Sequence, residues 1–370
     1  MSRKVVVIGT RGYPSFYGGF ETAVRHLAPY LADQGWDVTV FGRAGAIQDD
    51  ASRDARVRSV ITSGFETKSL STLSFGLVAT LKTIRMKPDV ALVMNVANGY
   101  WLPLLRIFQI PTVVNVDGVE WQREKWGPLA KLVFRIGGRL TAWFANELVV
   151  DAEAIGQFWH DKYGRRGIFI PYGGVQPEAT PVPLGLTSRG YILVVARLVP
   201  ENSIEHFLDA AESLAGRYDI VIVGSAGYGG EIEAKLAAFA DREHSVRWLG
   251  HVSDDNLLDR LWQHCGVYFH GHSVGGTNPA LVQAMTCGAP TIALDTTYNR
   301  EVLGRSGHFV EQSGKSIAAA IEALISNAKE QSRLSELARS RALKVYTWTK
   351  VCSSYNSLLS AFSKDKHASS

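Results

Sequence analysis

Short apolar runs rich in Val and Ile alternate along the chain with segments whose apolar positions recur at helical spacing. Lys4 to Ile8 predicts a first strand, Phe20 to Gln34 a helix, and Val38 to Phe41 the next strand. Further strands are expected at Val57 to Ile61, Val90 to Met94, Thr112 to Val116 and Leu148 to Val150, with helical patterns between several of them. Strands apolar on both faces and separated by helices belong to parallel sheets covered on each side. Residues 1–175 therefore read as one Rossmann-like domain. The pattern stops at Pro171-Tyr172-Gly173-Gly174, and Pro177, Pro181 and Pro183 mark 176–189 as a linker. A second alternating series, 190–345, carries strands at Tyr191 to Val195, Ile220 to Val223, Val246 to Leu249, Val267 to His270 and Thr291 to Leu294. Its helices are expected near Ser203 to Leu214, Glu231 to Ala240, Asp254 to Gln263 and Asn278 to Cys287. The predicted fold class is α/β, with two doubly wound domains facing a cleft, because open parallel sheets place ligands at the carboxyl ends of their strands. Residues 346–362 predict a helix returning to the N-terminal domain, and 363–370 a polar, disordered tail.

Composition narrows the class. A chain of 370 residues, 46% hydrophobic and 20% charged, has the material for two buried cores. Its three cysteines are widely spaced and form no C-x-x-C pair, so neither a disulfide framework nor a structural zinc site is indicated, and a reducing compartment fits. Only Val5 to Ile8 follow the first four residues as an apolar run, too short for a signal-peptide core. Tyr100 to Ile110 is broken by Pro103 and Arg106, so no spanning helix is expected. The expected location is cytoplasmic. The formal charge of +4 is unevenly placed: residues 1–180 hold 21 Lys+Arg against 16 Asp+Glu, the remainder 18 against 19. Solvated surface charge accounts for this, as does attraction to anionic lipid or an anionic acceptor; no nucleic-acid partner is expected. The stretch Lys131 to Leu140 mixes apolar and basic residues at helical spacing, which fits either core packing with a basic edge or contact with the inner leaflet of a membrane.

Three loops carry candidate chemistry. The strand Val267 to His270 runs into Gly271-His272-Ser273-Val274-Gly275-Gly276-Thr277, after which Asn278 fits as N-cap, Pro279 as first helical residue and Gly288 as the stop. Exposed N–H groups and a positive helix end suit a diphosphate, although a tight strand-to-helix turn explains the same glycines. Arg197, at the end of the strand Tyr191 to Val195, has a planar fork of donors for phosphate oxygens; alone it also fits a surface ion pair. Gly9-Thr10-Arg11-Gly12 through Tyr17-Gly18-Gly19-Phe20-Glu21 is glycine-rich but lacks G-x-G-x-x-G, which disfavours a dinucleotide cofactor. His270 and His272 have no nearby Asp or Cys to complete a metal set, and no D-x-D triad is present.

Taken together and in this order, these elements resemble glycosyltransferase family 4. They are most similar to a bacterial subgroup containing rhamnosyltransferases of capsule and other cell-surface polysaccharide assembly. The resemblance rests on Gly9-Thr10-Arg11-Gly12, Tyr17-Gly18-Gly19-Phe20-Glu21-Thr22, Asp117-Gly118-x-Glu120-Trp121, His270 to Pro279 and Asn299-Arg300-Glu301-Val302. It implies a GT-B fold, a nucleotide-diphospho-sugar donor held mainly by the second domain, retention of anomeric configuration, and no cofactor or essential metal. The implied donor contacts are Gly18, Gly19, Arg197, Asn202, His272, Gly275, Gly276, Thr277, Asn278 and Gln283.

Departures from the family pattern shape the expectations. Gly275 and Gln283 stand where two glutamates are common, Asn202 where a lysine is common, and Asp117 where a histidine is common. Gln283 keeps the capacity to hydrogen-bond ribose hydroxyls without a carboxylate's charge. Asp117 is a catalytic candidate, stabilising positive charge at the anomeric carbon, with a turn-capping role as the alternative. Arg197 is the second catalytic candidate, at the departing diphosphate. Trp121, Arg123 and Trp126 are expected to meet the acceptor, since aromatic faces suit sugar rings and Arg suits a diphosphate, though tryptophans are also common in cores. The expectation is transfer of a sugar, best matched by rhamnose from dTDP-rhamnose, to a saccharide acceptor, with a polyprenyl diphosphate as its carrier. Sugar-nucleotide epimerisation and non-catalytic nucleotide-sugar binding are the alternatives.

Overall fold

The computed structural model describes residues 2–16, 18–47, 53–65, 71–123, 126–227 and 229–363. The chain forms two compact units, Met1–Tyr172 with Trp348–Ser370, and Gly173–Thr347.

In the first unit seven strands, β1 (Arg3–Ile8), β2 (Trp36–Arg43), β3 (Arg58–Thr62), β4 (Val90–Met94), β5 (Thr112–Asn115), β6 (Glu147–Val150) and β7 (Ile168–Phe169), form one sheet in the order β3-β2-β1-β4-β5-β6-β7. Every pairing is parallel. Helices α1 (Gly19–Asp33), α2 (Ser71–Met86), α3 (Leu102–Ile107), α4 (Pro128–Phe144) and α5 (Glu153–Tyr163) make the crossovers. Between β4 and α3 the chain forms a 3-10 turn, Val96–Trp101.

The second unit repeats the plan with β8 (Tyr191–Val195), β9 (Asp219–Val223), β10 (Val246–Trp248), β11 (Val267–His270), β12 (Thr291–Leu294) and β13 (Gly307–Val310), ordered β10-β9-β8-β11-β12-β13 and again parallel. Its helices are α6 (Ile204–Leu214), α7 (Glu231–Arg242), α8 (Asp255–His264), α9 (Pro279–Cys287), α10 (Thr297–Leu303), α11 (Gly314–Ile325) and α12 (Ala328–Val345). Alternation along the strands divides the core between the two faces of this sheet. Ile192 and Val194 of β8 join one apolar cluster with Phe207 and Phe269, while Tyr191 and Leu193 join another with Met285 and Tyr268. The α/β, doubly wound character read from the sequence is therefore present in both units.

The helix α13 (Trp348–Ser360) packs in the first unit's core through Val351, Cys352, Tyr355 and Leu359. Its polar side chains reinforce the contact. Trp36 Nε1 donates to Asn356 Oδ1 at 2.8 Å, and His26 stacks on Trp348 with ring centroids 4.2 Å apart. The proline-containing stretch 176–189, expected as a linker, is tied to the second unit. Thr180 Oγ1 donates to Gln263 Oε1 at 2.9 Å, Arg247 donates to the Leu184 carbonyl at 2.7 Å, and Leu186 is buried. Of the tail 363–370, all but Ser363 lies outside the described residues. The three cysteines are free and buried. Among the described residues no helix is long and apolar enough to cross a membrane.

Candidate functional site

In each sheet the direction of winding reverses beside the first strand, between β1 and β4 and between β8 and β11. In open α/β sheets such switch points, at the strands' carboxyl ends, are where ligands bind. In the second unit this switch point gathers Arg197, after β8, and the loop after β11. The two loops approach so closely that a Cβ on Gly271 would lie 2.2 Å from the Asn202 carbonyl oxygen, leaving no room for a side chain. Asn202 stitches them together: its amide nitrogen donates to the Arg197 carbonyl oxygen at 2.8 Å, and its amide oxygen accepts from His272 Nδ1 at 2.5 Å. That bond places the His272 proton on Nδ1. Asn202, expected in place of a phosphate-facing lysine, is thus buried and spends its amide on joining two loops.

The rest of the loop is fixed from below. Ser273 donates from its backbone N at 3.0 Å and its Oγ at 2.8 Å to the Glu201 carbonyl, and Asn299 Nδ2 donates to the His272 carbonyl at 3.0 Å. The Asn299 side chain and the Glu201 carbonyl thus hold the loop in place; in the sequence Asn299 stood out only through the Asn299-Arg300-Glu301-Val302 resemblance. His270 is buried beneath the loop with Nδ1 3.1 Å from the Tyr268 hydroxyl. Burial, reinforced by His272, holds its pKa well below the usual histidine value, so His270 is neutral.

The helix start matches its sequence signature. Asn278 Oδ1 accepts from Ala280 N at 2.9 Å, Pro279 opens α9, and Gly288 ends it in the left-handed region. Gly275, at φ +105, holds a conformation that a glutamate would adopt only with strain. Among the described residues the backbone N–H groups of Val274, Gly275, Gly276 and Asn278 have no hydrogen-bond acceptor, and Thr277 is buried beside them. Arg197 is exposed, and among the described residues no hydrogen bond or ion pair holds its guanidinium. The strand-end face therefore offers one unpaired cation and four open N–H donors near a positive helix end, an arrangement suited to a diphosphate.

Gln283 does not join this set. Its Oε1 accepts from Val175 N at 2.9 Å, and its Nε2 donates to the Val175 carbonyl at 2.9 Å and to Asp259 Oδ1 at 2.8 Å. The hydrogen bonds expected for a ribose are made to the protein itself. Burial raises the Asp259 pKa, and the bonds from Gln283 and Cys287 partly offset that rise.

The first unit adds carboxylates to the cations Arg11 and Arg43 at its strand ends. Asp117 follows β5 at φ +58, and its N–H donates to Asn115 Oδ1 at 3.0 Å. Asn115, not Asp117, caps this turn, and among the described residues the Asp117 carboxylate accepts no hydrogen bond. Asn115 is itself held by its Nδ2, which donates to Tyr355 Oη at 2.8 Å. Glu21 is buried and accepts from Arg11 N at 2.9 Å. Burial first, then the charges of Asp117 and Asp151, drive the Tyr172 pKa well above its usual value, with Tyr355 and Glu21 adding to the effect. Gly18 is the exposed N-cap of α1, and a Cβ on Gly19 would stand 3.0 Å from Tyr172 Oη. Asp117 and Asp151 follow β5 and β6, Glu21 lies in the first turn of α1, and all three act on the Tyr172 hydroxyl.

The acceptor candidates divide. Trp121 is 4% exposed and packs on Phe158 at 5.9 Å, so its ring belongs to the core and is no open platform for a sugar. Arg123 is buried and ion-paired, Nε to Glu120 Oε1 at 2.7 Å. Trp126 is half-buried and donates from Nε1 to Glu120 Oε2 at 3.0 Å. Glu120 thus gathers Arg123 and Trp126. A small recess at the ends of β1, β2 and β3, lined by Thr10, Phe41, Arg43, Thr62 and Phe75 among others, mixes polar and apolar side chains, and of these only Thr10 belongs to a motif singled out in the sequence. Among the described residues no group of three or more His, Cys, Asp or Glu is placed to hold a metal ion.

Comparison with known proteins gives this geometry its context. Residues 18–173 match the glycosyl transferase 4-like domain and residues 179–341 the glycosyl transferases group 1 domain. The O-antigen chain mannosyltransferase B of Escherichia coli is 26% identical over 170 residues, which is 44% of this chain and 44% of that relative, so the match spans less than half of either. Sucrose-phosphate synthase of Thermosynechococcus elongatus is similar in structure, with a TM-score of 0.83 at 17% identity, covering 97% of this chain and 98% of that one. HepE of Anabaena in complex with UDP-glucose has a TM-score of 0.74 at 16% identity, covering 97% and 99%. With both units matched by glycosyltransferase domains and two parallel-sheet α/β domains of that architecture, the chain belongs to the GT-B glycosyltransferases.

Proposed function

We propose that the chain transfers a sugar from a nucleotide-diphospho-sugar to a saccharide acceptor in cell-surface polysaccharide synthesis, with retention at the anomeric carbon and without a metal ion. The observation that carries this reading is the cationic strand-end face of the second unit, where Arg197 and the N–H groups of Val274, Gly275, Gly276 and Asn278 are left for an anion. As the bond from the anomeric carbon to the diphosphate oxygen breaks, negative charge builds on that oxygen, and these donors stabilise it. The acceptor oxygen bonds to the anomeric carbon on the same face, and its proton passes to the departing diphosphate oxygen. Asp117 is assigned to the positive charge that develops on the sugar. Its unbonded carboxylate supports that role over turn capping.

The residues that resemble rhamnosyltransferases make dTDP-rhamnose the first donor to test. The mannosyltransferase relative makes a nucleotide-diphospho-mannose the second. The expected acceptor is a growing saccharide on polyprenyl diphosphate, which would bring the chain to the inner face of a membrane. A thermal-shift panel of nucleotide sugars, followed by transfer assays with those that stabilise the chain, tests the reading. Transfer to a saccharide supports it. Conversion of the donor without an acceptor would mark an epimerase, and binding without turnover a nucleotide-sugar-binding partner; either result overturns it.

A further inference from the structure

We propose that Asn115 and Tyr355 are positioning residues for the transfer reaction, and that through them helix α13 supports the turn that carries Asp117. This rests on the transferase reading, in which Asp117 meets the charge that develops on the sugar. Asp117 stands at φ +58, a left-handed conformation that Asp adopts where a local hydrogen bond supports it. Its own carboxylate supplies none among the described residues, so the support falls to Asn115, the last residue of β5. Asn115 Oδ1 accepts from the Asp117 N–H at 3.0 Å, the side-chain-to-backbone bond that closes an Asx turn. An N–H can only donate, so the oxygen end of the Asn115 amide must face Asp117 and the nitrogen end is turned the other way. There Nδ2 donates to Tyr355 Oη at 2.8 Å, across 240 positions of sequence.

Burial fixes both ends of this relay. Asn115 is 4% exposed, and its carbonyl accepts from Asn95 N at 3.0 Å. Tyr355 is 2% exposed and shares an apolar cluster with Val113 of β5, Val149 of β6 and Ile170. A hydroxyl in such a cluster is costly unless it is paired, and a phenylalanine would fill the same space without one. The bond from Asn115 is what the tyrosine adds. Burial raises the Tyr355 pKa, and that bond offsets only part of the rise, so the hydroxyl stays neutral. Two hydrogen bonds therefore run from α13 to the backbone of Asp117, all within the first unit.

The same helix carries its own control. Asn356, the next residue, accepts from Trp36 Nε1 at 2.8 Å and is no part of the relay. Loosening α13 there should lower stability without disturbing Asp117.

A substrate-free measurement joined to kinetics on the full chain tests this. Hydrogen exchange at the Asp117 N–H, read by NMR, should be faster than wild type in Asn115→Ala and Tyr355→Phe and unchanged in Asn356→Ala. In transfer assays run well below each variant's unfolding temperature, Asn115→Ala should lower kcat on the order of 10-fold, the scale of a slightly displaced reacting group, with donor KM unchanged. Tyr355→Phe should lower kcat by less, and adding it to Asn115→Ala should cost nothing more, because Tyr355 acts only through Asn115. Asn356→Ala should lower the unfolding temperature and leave kcat alone. Losses that multiply in the double variant would make Tyr355 a packing residue and overturn the proposal, as would unchanged exchange in Tyr355→Phe. A fall in kcat for Asp117→Asn without one for Asn115→Ala also overturns it, leaving the relay a purely structural bond. Unchanged kcat in both, with faster exchange at Asp117, would place the failure in the reading of Asp117 itself, and the positioning role falls with that reading.

Discussion

The two units share one strand order up to their last strands and differ where chemistry occurs. At the carboxyl ends of the second sheet stand an unpaired arginine and open backbone donors; at the same ends of the first, Asp117 and Asp151 stand beside Arg11 and Arg43, and with Glu21 of α1 they act on a buried tyrosine. The strands themselves are interchangeable Val- and Ile-rich runs. What separates the units is the handful of residues that follow each strand, so the scaffold sets where a ligand goes and the loops set which charge it meets.

Breaking the cationic side should have the largest effect. Arg197→Ala is expected to lower kcat about 100- to 1,000-fold, the scale of losing one donor to a developing oxyanion. Thermal unfolding should be unchanged, because among the described residues the guanidinium supports no other group. Near-normal turnover in a steady-state assay would remove Arg197 from the mechanism. The acidic side is tested by Asp117→Asn. Asparagine tolerates the positive φ and retains the backbone bond to Asn115, so the fold should survive while kcat falls roughly 10- to 100-fold. Unchanged kcat would leave Asp117 with no part in the reaction.

Gln283 sharpens the comparison from the stability side. If its amide serves Val175 and Asp259, Gln283→Ala should cost about 1–3 kcal/mol in denaturant unfolding and leave donor KM nearly unchanged. A raised KM at unchanged stability would return Gln283 to the donor site. The cost should also grow with pH. Asp259 already has a raised folded-state pKa, and losing the Gln283 bond raises it further. A carboxyl that holds its proton more tightly when folded contributes stability at low pH that is lost as pH rises through its folded pKa. The difference between variant and wild type should therefore widen from acid to neutral pH. The smallest expected effect is that of chelation: transfer should persist in EDTA, and a loss restored by added divalent cation would contradict the metal-independent reading.

The alternation that the sequence displays is physical, since fully buried parallel strands need unbroken apolar runs; β8 and β11 stand where such runs, Tyr191 to Val195 and Val267 to Phe269, lie. Asn278, Pro279 and Gly288 were legible for the same local reason, each favoured by backbone geometry at a helix end. Two of the four edge strands, β7 and β13, were not. β7 has two residues, and β13, Gly307–Val310, mixes Gly and His with two apolar residues, so neither presents a run to detect. In the candidate site, what escaped the sequence depends on distant partners. Gln283 is claimed by Val175, 108 positions away, and Asn202 by His272, 70 positions away. Asn115 and Asp117 are both acceptors two residues apart, and only the turn conformation decides which of them caps it. Trp121 carries the same ring whether it faces a sugar or Phe158.

Everything proposed for the second unit depends on its strand-end face recognising a diphosphate. Calorimetric titration of the wild-type chain and of Arg197→Ala, with a panel of nucleoside diphosphates and the matching nucleosides, measures this. At least one diphosphate is expected to bind the wild type far more tightly than its nucleoside, and Arg197→Ala to lose most of that advantage. Equal affinity for diphosphate and nucleoside, or a variant that binds the diphosphate as tightly as the wild type, would contradict it.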